Sequence, residues 1–161
     1  MLNVMRVLLL ALALVIMSSL PATAAGTYTI EHGWIDRAET SYEVVIRYTG
    51  DASDGSVPAV TLPAEVMSKI TGIYLYSVTA YPTTGGTAPD AADVAVNDGS
   101  FDVLGGKGVN LIPASGQNDA FPYSVFMGSW RYWIVKNVLN VAVANQATPS
   151  ADFTVVLKLV R

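Results

Sequence analysis

The sequence contains no cysteine and a single histidine, His32, among its 161 residues. Without cysteine the chain forms no disulfide bond, no thiolate metal site and no catalytic thiol. With one histidine it cannot supply a His/Cys zinc cage, and a Ser-His-Asp triad would have to use His32 as its base. No Gly-x-Ser-x-Gly motif accompanies this histidine. We therefore interpret His32 as a surface or interstrand residue and assign no catalytic residue.

Charged residues are also scarce, at 14% of the chain, and the formal net charge is −4. An acidic surface repels phosphate backbones, so nucleic acid is not an expected partner. The length and the 52% hydrophobic content suit one globular domain with a short appendage.

The N-terminal 24 residues have the pattern of a secretory signal peptide. Arg6 precedes the apolar residues 7–17, and Ala22-Thr23-Ala24 supplies the small residues that signal peptidase accepts. The apolar run is about eleven residues, short of the ~20 that a membrane-spanning helix needs. We predict a signal peptide over residues 1–24 and a secreted or periplasmic domain over residues 25–161, without membrane contact after cleavage. Translation from Met17 is the alternative, and it would leave the protein in a virion.

From residue 27 onward, apolar and polar residues alternate with period two between turn residues. This pattern predicts an all-β fold, a single antiparallel β-sandwich with jelly-roll or immunoglobulin-like topology. One or two helical turns are expected over residues 63–70. Pro58 indicates that residues 57–62 form a sheet edge, and the C-terminal strand is a second candidate edge. The predicted strands cover residues 41–49, 57–62, 72–81, 129–135, 138–144 and 153–160, with another around Val94 and Val96.

Two polar features were weighed as binding sites. Residues 105–108 (GGKG) lack the Walker spacing, because Phe101 replaces the first glycine and Gly108 the hydroxyl residue, so we predict a turn. Acidic residues gather in loops and would suit calcium, although Asp in turns ordinarily bonds its own backbone. We therefore assign no metal and no cofactor, and leave a calcium site open at two pairs: Asp51 with Asp54, and Asp90 with Asp93.

Trp130, Tyr132 and Trp133 form the densest aromatic group and are the predicted ligand or partner surface. In a continuous strand Trp130 and Tyr132 share one face, whereas Trp133 lies on the other. Exposed rings of this kind stack on sugars or dock proteins.

Four segments carry a resemblance to a known group of proteins: residues 102–112 (DVLGGKGVNLI), 121–124 (FPYS), 141–146 (VAVANQ) and 153–161 (FTVVLKLVR). The segments lie between residues 102 and 161, and the resemblance covers about the last 90 residues. In them the chain resembles small uncharacterised phage-encoded β-sandwich proteins found among virion structural genes. The resemblance implies a capsid decoration or tail-associated role and transfers no catalytic residue.

These observations predict a non-enzymatic structural or interaction protein, exported or virion-associated. Its partners would be itself or a larger protein assembly. The alternative is a secreted carbohydrate-binding module that uses the exposed aromatics and takes a glycan as partner. A secreted hydrolase built on loop carboxylates is a third hypothesis, although no pair of carboxylates is singled out.

Overall fold

The computed structural model describes residues 26–161, and the predicted signal peptide lies outside them. The described residues form twelve strands and one short helix. The helix is α1 (Ala64–Ile70), and the strands are β1 (Thr27–Trp34), β2 (Ser41–Thr49), β3 (Val60–Thr61), β4 (Tyr74–Pro82), β5 (Asp93–Asp98), β6 (Phe101–Asp102), β7 (Asn118–Ala120), β8 (Tyr123–Ser124), β9 (Ser129–Trp130), β10 (Trp133–Ile134), β11 (Leu139–Ala144) and β12 (Asp152–Val160).

The strands form two main antiparallel sheets. One has the order β1-β2-β12-β4-β10, with β7 also on β4, and the other has the order β3-β11-β5-β6. Early strands pair with late ones in sequence, β2 with β12, β3 with β11, β4 with β7 and β10, and β5 with β6. This nested pairing is the double-sheet jelly roll. The predicted all-β antiparallel sandwich is confirmed, and its topology is the jelly-roll alternative.

The core lies between the two sheets and follows the predicted alternation. On β2, every second residue from Tyr42 to Tyr48 is buried, and the neighbouring β12 buries Phe153, Val155, Leu157 and Leu159. The second sheet contributes apolar residues from β5 and β11 to the same core cluster. Each fully buried Val or Leu side chain contributes about 1.5–3 kcal/mol relative to exposure, which makes this cluster the main source of stability.

The C-terminal strand was predicted as a sheet edge, and that prediction is wrong. β12 lies in the sheet interior, paired with β2 on one side and β4 on the other. Thr154 and Val156 on its second face are buried as well, which fits a central strand better than an edge.

The other candidate edge and the predicted helix are present. Residues 57–62 contain β3, only two residues long, which lies at the end of its sheet. Helix α1 follows Pro63 and buries Val66, Met67 and Ile70 against the core. Within residues 26–161, no helix is long and apolar enough to span a bilayer.

The predicted strand over residues 129–135 is wrong, because this stretch belongs to two different pairings. β9 pairs with β8 in a small hairpin, whereas β10 pairs with β4 at Leu75 and Tyr74. β7 pairs with β4 just before, at Ala80 to Val78, so β7 and β10 are two halves of one interrupted edge strand. Residues 121–132 leave the sheet between the two halves, and we name them the hairpin.

Candidate functional site

The hairpin ends in three exposed apolar side chains. Val125, Phe126 and Met127 are 68%, 88% and 59% exposed, and we name them the hairpin tip. The turn is closed by the Met127 amide, which donates to the Ser124 carbonyl at 3.2 Å, and by Gly128 at a φ of 60°. Glycine adopts a left-handed φ more readily than other residues, so Gly128 favours a turn at this position.

On one side of the hairpin, aromatic rings line a groove of about 620 Å³, which we name the aromatic groove. Tyr74 and Tyr76 project from the outer face of β4, on either side of buried Leu75. The hairpin supplies the remaining lining, Phe121, Trp130, Arg131 and Tyr132.

The rings of the groove contact each other mostly edge to face. Tyr76 meets Phe121 at 5.8 Å and 87°, and Phe121 meets Trp130 at 6.0 Å and 84°. Tyr132 meets Tyr74 at 65° and is stacked on Tyr76, with centroids 5.9 Å apart. Aromatic pairs in these arrangements contribute about 0.5–1.5 kcal/mol beyond the area they bury. The groove is therefore formed before any partner binds.

The structure places Trp133 away from Trp130 and Tyr132, on the other side of the hairpin. Its ring stacks on Phe101 at 5.9 Å, and Phe101 contacts Phe126 at 6.3 Å. The Trp133 indole nitrogen donates to Asp98 Oδ2 at 2.7 Å. Trp133 therefore anchors the returning end of the hairpin to the second sheet.

Asp98 is buried and accepts three hydrogen bonds. Besides the indole, the amides of Lys136 and Asn137 donate to its carboxylate at 3.1 and 2.6 Å. Burial alone would raise the pKa of Asp98, but the hydrogen bonds from Trp133, Lys136 and Asn137 outweigh it, and the pKa lies below its ordinary value.

His32 lies on β1 and is not part of a triad. Its Nδ1 is 2.6 Å from the Tyr42 hydroxyl, and its Nε2 is 3.9 Å from Glu65 Oε1. Burial, together with the charge of Glu65, raises the pKa of the Tyr42 hydroxyl. Among residues 26–161, the polar contacts of His32 include no serine and no aspartate, in line with an interstrand histidine.

The glycine-rich residues 105–108 form a turn held by an acidic side chain. The Asp102 carboxylate accepts from the amides of Leu104 at 3.1 Å and Gly106 at 2.8 Å. A phosphate would need such amides free, so this loop is not arranged to bind one. Lys107 places its Nζ 4.7 Å from the Tyr123 ring centroid.

The carboxylates of the first acidic pair, Asp51 and Asp54, accept hydrogen bonds from amides of their own loop. Asp51 Oδ1 accepts from the amides of Ser53 and Asp54, and Asp54 accepts from the amide of Ser56. The hydrogen bonds from Ser53 are the main cause that lowers the pKa of Asp51. Asp51 Oδ2 is buried without a hydrogen-bond partner among residues 26–161.

The carboxylates of the second pair, Asp90 and Asp93, accept hydrogen bonds from residues of other loops. Both Asp90 oxygens lie 3.2 Å from the Ala147 amide, and Asp93 accepts from the Asn110 amide and the Asn145 side chain, each at 2.7 Å. In the part of the chain that the structure describes, no three His, Asp or Glu side chains come together as metal ligands.

The sequence places Phe126 near the aromatic group of Trp130, Tyr132 and Trp133, but it does not indicate that residues 125–127 form an exposed turn. Tyr74, Tyr76 and Phe121 were not singled out, although the groove depends on them. The run of residues 125–128 (VFMG), three apolar residues before a glycine and outside any alternating strand, is the signal that indicates an exposed apolar turn.

No family model and no curated protein matches this chain. A solved structure, the "Cyanophage Pam1 capsid asymmetric unit", is similar to it at 17% sequence identity and a TM-score of 0.42. The similarity covers 85% of this chain and 86% of that one. At this level it assigns neither a family nor a function.

Proposed function

We propose that this chain is a non-enzymatic structural protein that binds protein, either itself or a larger assembly, through the hairpin tip and the aromatic groove. The observation that carries the proposal is Phe126, 88% exposed at the end of an excursion from an otherwise regular sheet.

The energetics of the exposed rings support a docking role. Covering a Phe, Val or Met side chain recovers about 1.5–3 kcal/mol relative to leaving it in water. Contiguous exposed apolar patches of this kind mark interaction surfaces. Aromatic residues, Met and Arg are the types enriched at the centre of protein interfaces, and the hairpin contains Phe126, Met127, Trp130 and Arg131.

The polar groups of the described residues support a non-catalytic role. The single histidine contacts Tyr42 and Glu65. The loop carboxylates accept hydrogen bonds within their own turns or from neighbouring loops. A reactive site needs a nucleophile, a base and an oxyanion donor directed at one point. Among residues 26–161, the polar side-chain groups that line the groove are tyrosine hydroxyls, the Trp130 indole N–H and the Arg131 guanidinium.

The proposed setting is a virion or an exported assembly. The resemblance of residues 102–161 to phage virion proteins favours the first, and jelly rolls are used in viral capsids. Mass spectrometry of the N-terminal peptide of the protein isolated from its natural source distinguishes the settings. A mature start after Ala24 or Ala25 supports export, and a start at Met17 supports the virion.

Light scattering across a concentration series tests the docking role on the full chain. We expect the mass to rise above that of a monomer, and the rise to be lost in Phe126→Asp. Ile35→Asp is the matched control, because Ile35 is also an exposed apolar residue (61%) but follows β1, at the opposite end of the sheet from β10. A mass rise that Phe126→Asp retains overturns docking through the hairpin tip, and a chain that stays monomeric at its solubility limit overturns self-docking.

Glycan binding is the second candidate, favoured by the exposure of Trp130 and Tyr132. The mostly edge-to-face rings offer little flat surface to a sugar, which places this candidate behind docking. Tryptophan fluorescence titrated with oligosaccharides tests it, and a saturable change that Trp130→Ala abolishes would support it. Emission indifferent to every oligosaccharide removes it.

A further inference from the structure

We propose that the aromatic groove receives the hairpin tip of a second copy of this chain, and that the two copies exchange tips across a two-fold axis. The inference rests on the proposed docking function and names its partner.

The tip and the groove are complementary in shape. The tip is convex and entirely apolar, whereas the groove is concave, aromatic and about 620 Å³ in volume. Grooves of about 300–1,000 Å³ enclose ligands of drug size. The groove therefore has room for the Phe126 ring together with part of Val125 or Met127.

The tip does not fill the groove of its own chain. Phe126 leans toward Phe101, and both line a second depression with Trp133 and Tyr123 on the opposite side of the hairpin. Phe126 is absent from the lining of the aromatic groove. Among residues 26–161, the tip is thus available to a neighbouring molecule, and no side chain of the tip occupies the groove.

The charge distribution makes the hairpin a surface at which two acidic copies can approach each other with little repulsion. The chain is acidic, with a net charge of −4, so two copies repel over most of their surfaces. Residues 121–132 contain no Asp or Glu, and Arg131 is their one charged residue. Arg131 is placed to approach an incoming phenylalanine ring, where a cation–π contact is attractive.

The position of both elements on one hairpin sets the symmetry. Trp130 and Tyr132 form a wall of the groove only a few residues from Phe126. Two hairpins packed antiparallel therefore bring each tip to the other groove at the same time. Such a reciprocal contact is isologous and closes as a dimer.

Two single variants test the contact: Phe126→Asp removes the tip, and Tyr132→Asp, at an exposed position, blocks the groove. Each variant alone is expected to weaken dimerisation at least about 30-fold, the effect of losing one interface hot spot. Mixing them in equal amounts restores one intact contact, so heterodimers form more tightly than either variant self-associates. Ile35→Asp is expected to dimerise as the parent does, and Trp130→Asp replaces Tyr132→Asp if circular dichroism shows that the latter is unfolded.

The absence of native cysteine permits a second, positive test. Met127→Cys mixed with Arg131→Cys is expected to give a disulfide-linked heterodimer under mild oxidation, faster than a mixture with Ile35→Cys.

The outcomes separate this inference from the function it rests on. Association that persists in Phe126→Asp overturns both the exchange of tips and docking through the tip. Association that is lost in Phe126→Asp but kept in Tyr132→Asp overturns the tip-in-groove contact and leaves docking through the tip standing. A variant mixture that stays monomeric, or a parent mass that grows beyond two copies, overturns the reciprocal exchange. A parent chain that is monomeric at every concentration overturns the exchange of tips and the self-docking on which it rests.

Discussion

The Trp133 indole nitrogen donates to Asp98 Oδ2 across 2.7 Å, and this bond joins the two sheets. Asp98 ends β5 in the four-stranded sheet, whereas Trp133 begins β10 in the six-stranded one. The contact sits where the hairpin rejoins the jelly roll, so it couples the stability of the fold to the placement of the candidate site.

Replacing Asp98 with Ala is expected to destabilise the fold by about 3 kcal/mol. The change leaves the indole and the amides of Lys136 and Asn137 without their acceptor, and each buried unpaired donor costs about 1–3 kcal/mol. Urea unfolding followed by tryptophan fluorescence measures the loss. Asp102→Ala, which removes an acceptor in the more exposed glycine-rich turn, is the control and should cost less.

Stability is expected to fall in acid, with Asp98 as one cause. Its folded pKa lies below the ordinary value of 3.8, so the folded state binds the proton less tightly than the unfolded chain does. The stabilisation is fully present above the ordinary pKa and is lost as pH falls through the lower folded pKa. Unfolding midpoints at pH 7, 5 and 3 measure it. An equally steep acid dependence in Asp98→Asn would contradict this assignment.

Tyr48→Phe is expected to leave stability unchanged or to raise it by up to about 1 kcal/mol. The Tyr48 hydroxyl is buried without a hydrogen-bond partner among residues 26–161, while its ring stacks on Phe153 at 5.1 Å. Removing an unpaired buried hydroxyl removes its desolvation cost and keeps the packing. Tyr42→Phe, which loses the bond to His32, is expected to cost about 1 kcal/mol in the same thermal unfolding assay. A comparable loss in Tyr48→Phe would refute the prediction.

Gly108→Ala is expected to destabilise the fold by about 3 kcal/mol. A Cβ at this position would overlap the carbonyl oxygen of Val94, which is backbone and cannot move aside cheaply. Gly106→Ala is the matched comparison in the same loop, because its Cβ meets nothing and only its φ of 78° is unfavourable. Thermal unfolding should rank the two, and equal losses would show that the close approach to Val94 is not limiting.

Much of the fold could be predicted from side-chain alternation. β2 and the inward face of β12 follow directly from it, because the period of a strand matches the period of burial. The position of β12 was mispredicted because a chain end says nothing about neighbouring strands. Val156, apolar on the opposite face and buried, is the residue that indicates a central strand.

The candidate site was harder to predict, because it depends on long-range register. Trp130 pairs with Tyr123, and Trp133 pairs with Leu75, two pairings that no local pattern distinguishes from one continuous strand. Tyr76 belongs to a strand with apolar residues on both faces, so the sequence does not indicate which face is solvent-exposed.

The interrupted edge strand confines residues 121–132 between two fixed pairings with β4. β7 ends at Ala120 opposite Val78, and β10 resumes at Trp133 opposite Leu75, so both ends of the excursion are pinned to neighbouring rungs of β4. Insertions or deletions between these two pairings are therefore expected to leave the register of the sheet unchanged. The length and sequence of residues 121–132 can therefore vary while the jelly roll stays the same.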